Sequence, residues 1–400
     1  MPGHPACTAA LLLALPALAS CGGSGPLQIS ESGTGAFEPA LATVEGGAAV
    51  AWYDNRDANA EIYLRLVGVE SKAVSPEYRL TWTGAESYEV SIDQLGDGFA
   101  VAWYEKSATG ELEARLGLWS ADPGFDWETP VEAHEGWSRN PVVVADRERG
   151  RVFCSWVEEA DGWGSVMAAW WGMDGEMLGE VLRLGLADTT TWNLNAALAP
   201  DGAAVVVWDA TRGRRTEELH LARIDAAGVR SVPLTWEDGH ASKYPDIALG
   251  QGRAALTWFD EKDGNREVYL WTGSAERLWR DAEEGAGIDG ESRRITESAG
   301  ETIGAYVAYS AVGSGSFGLA WSDEVDGGRD IFFQPFDTSG SPLAGPQRLS
   351  SGSGLEFVPA IEAFGEAFAL TWSAVQPGPG GLHGGGTRSE VFFAAVPYAR

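Results

Sequence analysis

Histidine, cysteine and basic residues are all scarce in this chain, and each shortage removes a class of function. Five histidines and three cysteines occur in 400 residues, and 28 Lys and Arg stand against 58 Asp and Glu, a formal charge of −30. Nucleic acid is excluded as a partner, because neutralising phosphate needs basic stripes. His4, His134, His220, His240 and His383 are scattered, with no pair at zinc-ligand spacing, so no metal and no cofactor are expected. No Gly-x-Ser-x-Gly elbow and no phosphate-binding glycine loop occurs, and Gly381 to Gly386, around His383, reads as a hairpin tip. Long apolar runs are missing too. The stretch Ala9 to Ala19 falls short of the about 20 residues that span a bilayer. The acids are spread through the chain, as solubility requires.

That short apolar stretch has the length of a signal-peptide core. It runs into Leu18-Ala19-Ser20-Cys21 and then Gly22-Gly23-Ser24-Gly25. The tetrapeptide resembles the lipobox of bacterial lipoproteins, departing in Met1 to Thr8, which holds no Lys or Arg. The resemblance implies a signal peptide over 1–20 and a diacylated, palmitate-bearing Cys21 with a tether over 21–26. It also implies a place in the cell envelope, at the outer membrane or the periplasmic face, touching the membrane through lipid alone. Cys154 lies in an apolar strand two residues before Trp156 and reads as a buried thiol. With Cys21 acylated no disulfide remains, so packing and strand pairing must hold the fold.

Tryptophan is what the chain has in plenty. Trp52, Trp103, Trp156, Trp208, Trp258, Trp321 and Trp372 stand at intervals of 51, 53, 52, 50, 63 and 51 residues. Each ends an apolar run and precedes an acidic turn and a second run rich in β-branched and aromatic residues, such as Glu61-Ile62-Tyr63-Leu64 or Glu267-Val268-Tyr269-Leu270. A first strand, often opened by Pro, precedes each marker, and a shorter polar strand such as Tyr78-Arg79-Leu80-Thr81 follows. A period near fifty with four strands predicts a seven-bladed β-propeller of four-stranded antiparallel blades over 27–400. Its last unit stops after three strands, and Pro26-Leu27-Gln28-Ile29-Ser30 matches Pro346-Gln347-Arg348-Leu349-Ser350. The N-terminal strand is therefore expected to complete the last blade. The long fifth interval holds helix-favouring residues within 274–290, between a third and a fourth strand.

The marker indoles are expected to pack between blades, since one large ring at one fixed position suits repetitive packing. Acids recur after them at Asp54, Glu105, Glu158, Asp209, Asp260 and Asp323, with second acids at Asp57, Asp161, Asp263 and Asp326. Calcium loops place ligands at alternating positions, whereas these acids are three apart and suit hairpin turns. Aromatics near the start of first strands, at Phe37, Tyr88, Trp192, Tyr244 and Phe357, are predicted to share one face of the ring with Asp54, Asp260 and Asp323. That acidic, aromatic face is the candidate binding surface.

Ser120-Ala121-Asp122-Pro123-Gly124-Phe125-Asp126-Trp127 matches Ser-x-Asp-x-Gly-x-x-Trp and so resembles the Asp-box of sialidase-like propellers. In that family the box is a folding element, and catalysis uses three arginines, a Tyr–Glu pair and an acidic proton donor. Arg139, with Tyr88 and Glu89, offers the nearest match, without further arginines to join it. Taken whole, the chain is similar to repeat propellers of bacterial envelopes that act as interaction platforms. The expected function is a monomeric, non-enzymatic propeller that meets a protein or carbohydrate partner, with a sialidase-like glycoside hydrolase as the alternative.

Overall fold

A computed structural model describes residues 25–68, 74–120, 124–131, 136–186, 188–213, 215–351, 354–376, 378 and 387–397. Cys21 and the leader, His134, Gly381 to Gly386 and the centre of the Asp-box match at 121–123 lie outside them. The chain is an all-β propeller with five four-stranded antiparallel blades. Their first strands are Ala36–Val44, Glu86–Leu95, Trp137–Asp146, Thr190–Leu198 and Ser242–Gly250. These run beside one another round a central channel, continue through Thr302–Ser310 and Leu355–Phe364, and return to Ala36–Val44.

The expected count of seven four-stranded blades is corrected here. The last two tryptophan units do not form separate blades but one eight-stranded sheet. Arg329 and Leu355 make a parallel bridge, and the Arg329 N–H donates to the Gly354 carbonyl at 3.2 Å. That backbone pairing carries the ladder from one unit into the next, which strand patterning alone does not reveal. Within this sheet the N-terminal strand Leu27–Gln28 pairs antiparallel with Arg388–Pro397, Leu27 opposite Phe393.

The seven marker indoles are exposed by no more than 3 %. Trp103 packs with Ala49, Leu64 and Leu80 of the first blade, Trp156 with Leu116 and Val131 of the second, and Trp258 with Leu219 and Leu221 of the fourth. Each indole removes roughly 200 Å² from water, on the order of 5 kcal/mol before the entropy of ordering is subtracted. Rings on the third strands stack beside them: Tyr63 on Trp52 at 6.2 Å, Tyr269 on Trp258 at 5.8 Å and His220 on Trp208 at 5.5 Å. Burial pushes His220 down to about 4, so this half-buried ring stacks on Trp208 as a neutral imidazole.

A polar clamp recurs at the blade exteriors. In the first, fourth and fifth blades a hydroxyl just past the fourth-strand position accepts a third-strand N–H at 2.9 Å: Thr81 from Ile62, Thr235 from Leu219 and Thr296 from Val268. The same hydroxyls donate to Glu61, Glu218 and Glu267 at 2.5, 2.6 and 2.5 Å. At the closing strand Ser30 does both jobs, accepting from Val391 at 2.8 Å and donating to Glu390. The N-terminal segment thus supplies the hydroxyl that these three clamps take from their own units, while in the second blade the Ala114 N–H donates to Ser138 of the third at 2.8 Å.

The fifth-blade insertion contains a helix, Ala275–Glu283, capped by the Ser274 hydroxyl, which accepts from the Arg277 N–H at 3.1 Å. Leu278 and Ala282 bury its inner face against Leu234 and Ile288.

Candidate binding face at the channel mouth

Every first strand is bulged at one end of the channel. The pairing register shifts between Phe37 and Ala40, Tyr88 and Ser91, Arg139 and Val142, Thr191 and Leu194, Lys243 and Asp246, Ile303 and Tyr306, and Phe357 and Ala360. Two residues there oppose one, which bends the strand and re-aims a side chain. Glu38, Glu89, Asn140 and Tyr244 adopt positive φ at these bulges, 48°, 48°, 49° and 53°, and Gly304 does so at 64°. Strain in non-glycine residues persists where surrounding structure enforces it, often at functional sites.

The marker tryptophan sits opposite the bulge in most units, as Trp52 faces Glu38 and Pro39. In the fourth blade Asp209 takes that place, because Trp208 pairs with Leu194. Asp209 is fully buried. It accepts from the N–H groups of Trp192, Asn193 and Tyr244 at 3.2, 3.0 and 3.0 Å, and from the Asn193 amide at 2.7 Å. Burial raises its pKa against those four donors. From the third blade, Asn140 donates to the Trp192 carbonyl at 3.0 Å and Arg139 to the Thr191 carbonyl at 3.1 Å. The Trp192 backbone is therefore fixed on both sides, while its side chain is 51 % exposed. Tyr244 is 46 % exposed, its ring tilted on Phe259 at 5.5 Å.

A groove of ≈590 Å³ runs over this region, lined by Glu89, Tyr104, Arg139, Trp192, Asp209 and Tyr244. It meets a channel cavity of ≈540 Å³ walled by Glu38, Glu89, Asn140, Asp246, Tyr306 and Glu362. Along the rim of the first two blades Phe37 stacks on Tyr53 at 5.4 Å, Tyr53 meets Tyr88 edge-on at 5.1 Å, and Tyr88 meets Tyr104 at 5.7 Å. Burial, then the charge of Glu38, pushes Glu89 up to about 7, with Arg139 acting the other way. Burial likewise brings Asp246 to about 7 and Glu362 to about 8, although Glu362 is open to the channel.

The residues expected at the face divide into two groups. Phe37, Tyr88, Trp192 and Tyr244 lie at or beside the bulges, and Phe357 lies at its own bulge with Arg329 5.9 Å from its ring. Asp54 and Asp260 are instead buried, accepting the indole N–H of Trp52 at 3.1 Å and of Trp258 at 3.3 Å. Asp323 is half-buried and accepts from Thr302 at 3.3 Å. The arginines of the groove are both held by carboxylates: Arg139 by Glu159 at 2.7 Å, and Arg266 by Glu261 at 3.3 Å and Glu301 at 3.5 Å. Among the described residues no group of His, Cys, Asp and Glu is placed to hold a metal ion.

The bulges have no counterpart among the sequence expectations, and Asp209, expected in a hairpin turn, instead clamps two of them. Their signals were the repeated X-Pro at Glu38-Pro39, Asn140-Pro141 and Tyr244-Pro245, and an acid one residue after Trp208 rather than two.

Neither a protein-family model nor a curated protein matches the chain. Solved structures do, at the level of fold. A polysaccharide lyase, Uly1, superposes with a TM-score of 0.57 at 8 % identity, over 90 % of this chain and 90 % of that one. A protein of unknown function from Dyadobacter fermentans gives 0.52 at 10 % identity, over 94 % and 98 %. The Hadza microbial sialidase Hz136 gives 0.51 at 12 % identity, over 85 % and 73 %. At such identities the likeness is one of propeller architecture.

Proposed function

We propose that the protein is a non-enzymatic carbohydrate-binding propeller whose ligand lies across the channel mouth from the second to the fifth blade. The observation that carries this reading is the fixed exposure of Trp192 and Tyr244. An aromatic face held by buried backbone bonds loses little entropy on binding and stacks on the apolar face of a sugar ring. The solved structures of similar fold include a sialidase and a polysaccharide lyase, which agrees with a glycan ligand. A sialidase-like reaction is less well supported, because Arg139 and Arg266 are already neutralised by carboxylates. The same proposal places the protein in the bacterial cell envelope, tethered by lipid on Cys21. Loss of detergent-phase partitioning in Cys21→Ser is the expected outcome.

A glycan array followed by calorimetry tests the binding role. Trp192→Ala is expected to weaken the selected glycan by ~10-fold or more while leaving the melting temperature within about 1 °C. Binding unchanged by both Trp192→Ala and Tyr244→Ala, or turnover of a sialoside, would overturn the proposal.

A further inference from the structure

The geometry points to an amino-sugar chain as the ligand, with Glu38 and Glu89 receiving its ammonium groups. This rests on the carbohydrate-binding reading and narrows it by charge. Glu38 and Glu89 occupy equivalent bulges on the neighbouring first strands of the first two blades, and both line the channel cavity. Among the described residues neither carboxylate has a hydrogen bond or an ion pair. Most other acids on this face are matched: Glu159 by Arg139, Glu217 by Lys243 at 3.2 Å, and Glu261 by Arg266. The cations of the groove are therefore satisfied, and the groups left without a counter-charge are these two carboxyls, with burial holding a proton on Glu89 up to about 7.

The wall beside these carboxylates is aromatic, formed by the linked rings of Tyr53, Tyr88 and Tyr104. Carboxylates above aromatic faces are the environment that holds an ammonium, through Coulomb attraction and the ring quadrupole together. Burial first, and then Glu38 and Glu89 among their neighbours, pushes the Tyr53 and Tyr104 hydroxyls upward, which marks the same negative field. A uronate or sialate entering here would have to displace Glu159, Glu217 or Glu261 from its cation. An ammonium group instead meets two carboxyls without a counter-charge, and its arrival favours release of the proton that burial holds on Glu89.

The test is calorimetry at pH 6.5 with three hexamers: glucosamine, N-acetylglucosamine and a polyuronate. The glucosamine hexamer is expected to bind at least ~10-fold more tightly than its N-acetylated counterpart, and the gap to shrink in high salt. Glu38→Gln with Glu89→Gln should abolish the preference. The salt series on the unaltered protein carries the same information should that double variant not fold. Equal affinity for both amino-sugar hexamers, or tighter binding of the polyuronate, overturns the inference while leaving a carbohydrate ligand in place. If none of these hexamers binds and the glycan array is blank, both readings fall together.

Discussion

At the outer side of the blades, Glu61, Glu218, Glu267 and Glu390 each meet a hydroxyl, from Thr81, Thr235, Thr296 and Ser30, in nearly the same geometry. At the channel mouth the bulge positions hold Glu38, Glu89, Asn140, Trp192, Tyr244 and Gly304, and most differ in chemistry. Both regions are repeated backbone features, since each first strand is bulged and these third strands are all clamped. They differ in what the side chain does. The clamp residue satisfies a buried N–H, so a unit that loses it must find another acceptor, as the second blade does in Ser138 for the Ala114 N–H. Most bulge residues line the channel or the groove at its mouth, so the backbone can be kept while the side chain varies. Repetition here maintains the fold, and departure from repetition builds the site.

The largest way to break this comparison is to remove the clamp that is made across the chain termini. A chain beginning after Ser30 lacks the strand opposite Phe392 and Phe393 and leaves the Val391 N–H and Glu390 without their hydroxyl. It also removes Ile29, which is fully buried beside Trp52, Val391 and Phe393. Thermal unfolding should shift down by roughly 10 °C or lose its single cooperative transition. A truncated chain that melts with the full-length one would show that closure contributes nothing.

The two regions were not equally legible in the sequence. Tryptophan spacing, third strands such as Glu267-Val268-Tyr269-Leu270 and the match of Leu27 to Ser30 with Arg348 to Ser350 are periodic, and periodicity reports packing. The same periodicity overcounted the blades, because one parallel bridge from Arg329 to Leu355 depends on backbone position. Asp54 and Asp260 read as face residues from their place in the turn. Each lies two residues past its tryptophan, on the same side of the strand, and turns back to the indole N–H. Asp209 breaks that phase by one residue and so clamps two bulges instead. Positive φ at a glutamate or a tyrosine leaves no compositional trace of the kind glycine leaves.

A smaller effect separates paired from unpaired acids. Glu267 is fully buried and accepts from Thr296, from Arg294 at 2.8 Å and from the Ser298 N–H at 3.1 Å. Glu267→Ala should cost about 2–3 kcal/mol in urea unfolding, as those donors lose their acceptor. Glu89→Gln should be neutral or slightly stabilising, because it removes a carboxylate that burial disfavours. Equal losses in the two variants would mean that Glu89 has a structural partner after all and that mouth and clamp obey one rule.

The smallest predicted effect is the dependence of stability on pH, in which the channel carboxyls and the clamp's Glu218 share one sign and the arginine-paired aspartates carry the other. Burial raises Glu89, Asp246, Glu218 and Glu356 to about 7 and Glu362 to about 8, above the ordinary 4.5 of Glu and 3.8 of Asp. Between the unfolded and folded values the native state holds the extra protons, so stability is greatest below that window and falls as pH rises through it. The arginine-paired aspartates act oppositely. Asp146 is lowered by hydrogen bonds from Arg151 and Arg149 that outweigh its burial, and Asp225 by the Ala227 N–H and Arg223. Their contribution is present above about 3.8 and is lost as pH falls through the lower folded values. Melting temperature should therefore peak near pH 4 and fall by roughly 3–6 °C toward pH 8.5, and the net charge of −30 pushes in the same direction. Glu89→Gln together with Glu362→Gln should flatten the descent without changing the acid side. A melting temperature that rises from pH 5 to pH 8.5 would mean that the channel carboxylates are ionised at no cost. Burial of acids at the mouth would then have no energetic consequence, and the bulge positions would be set by ligand chemistry alone.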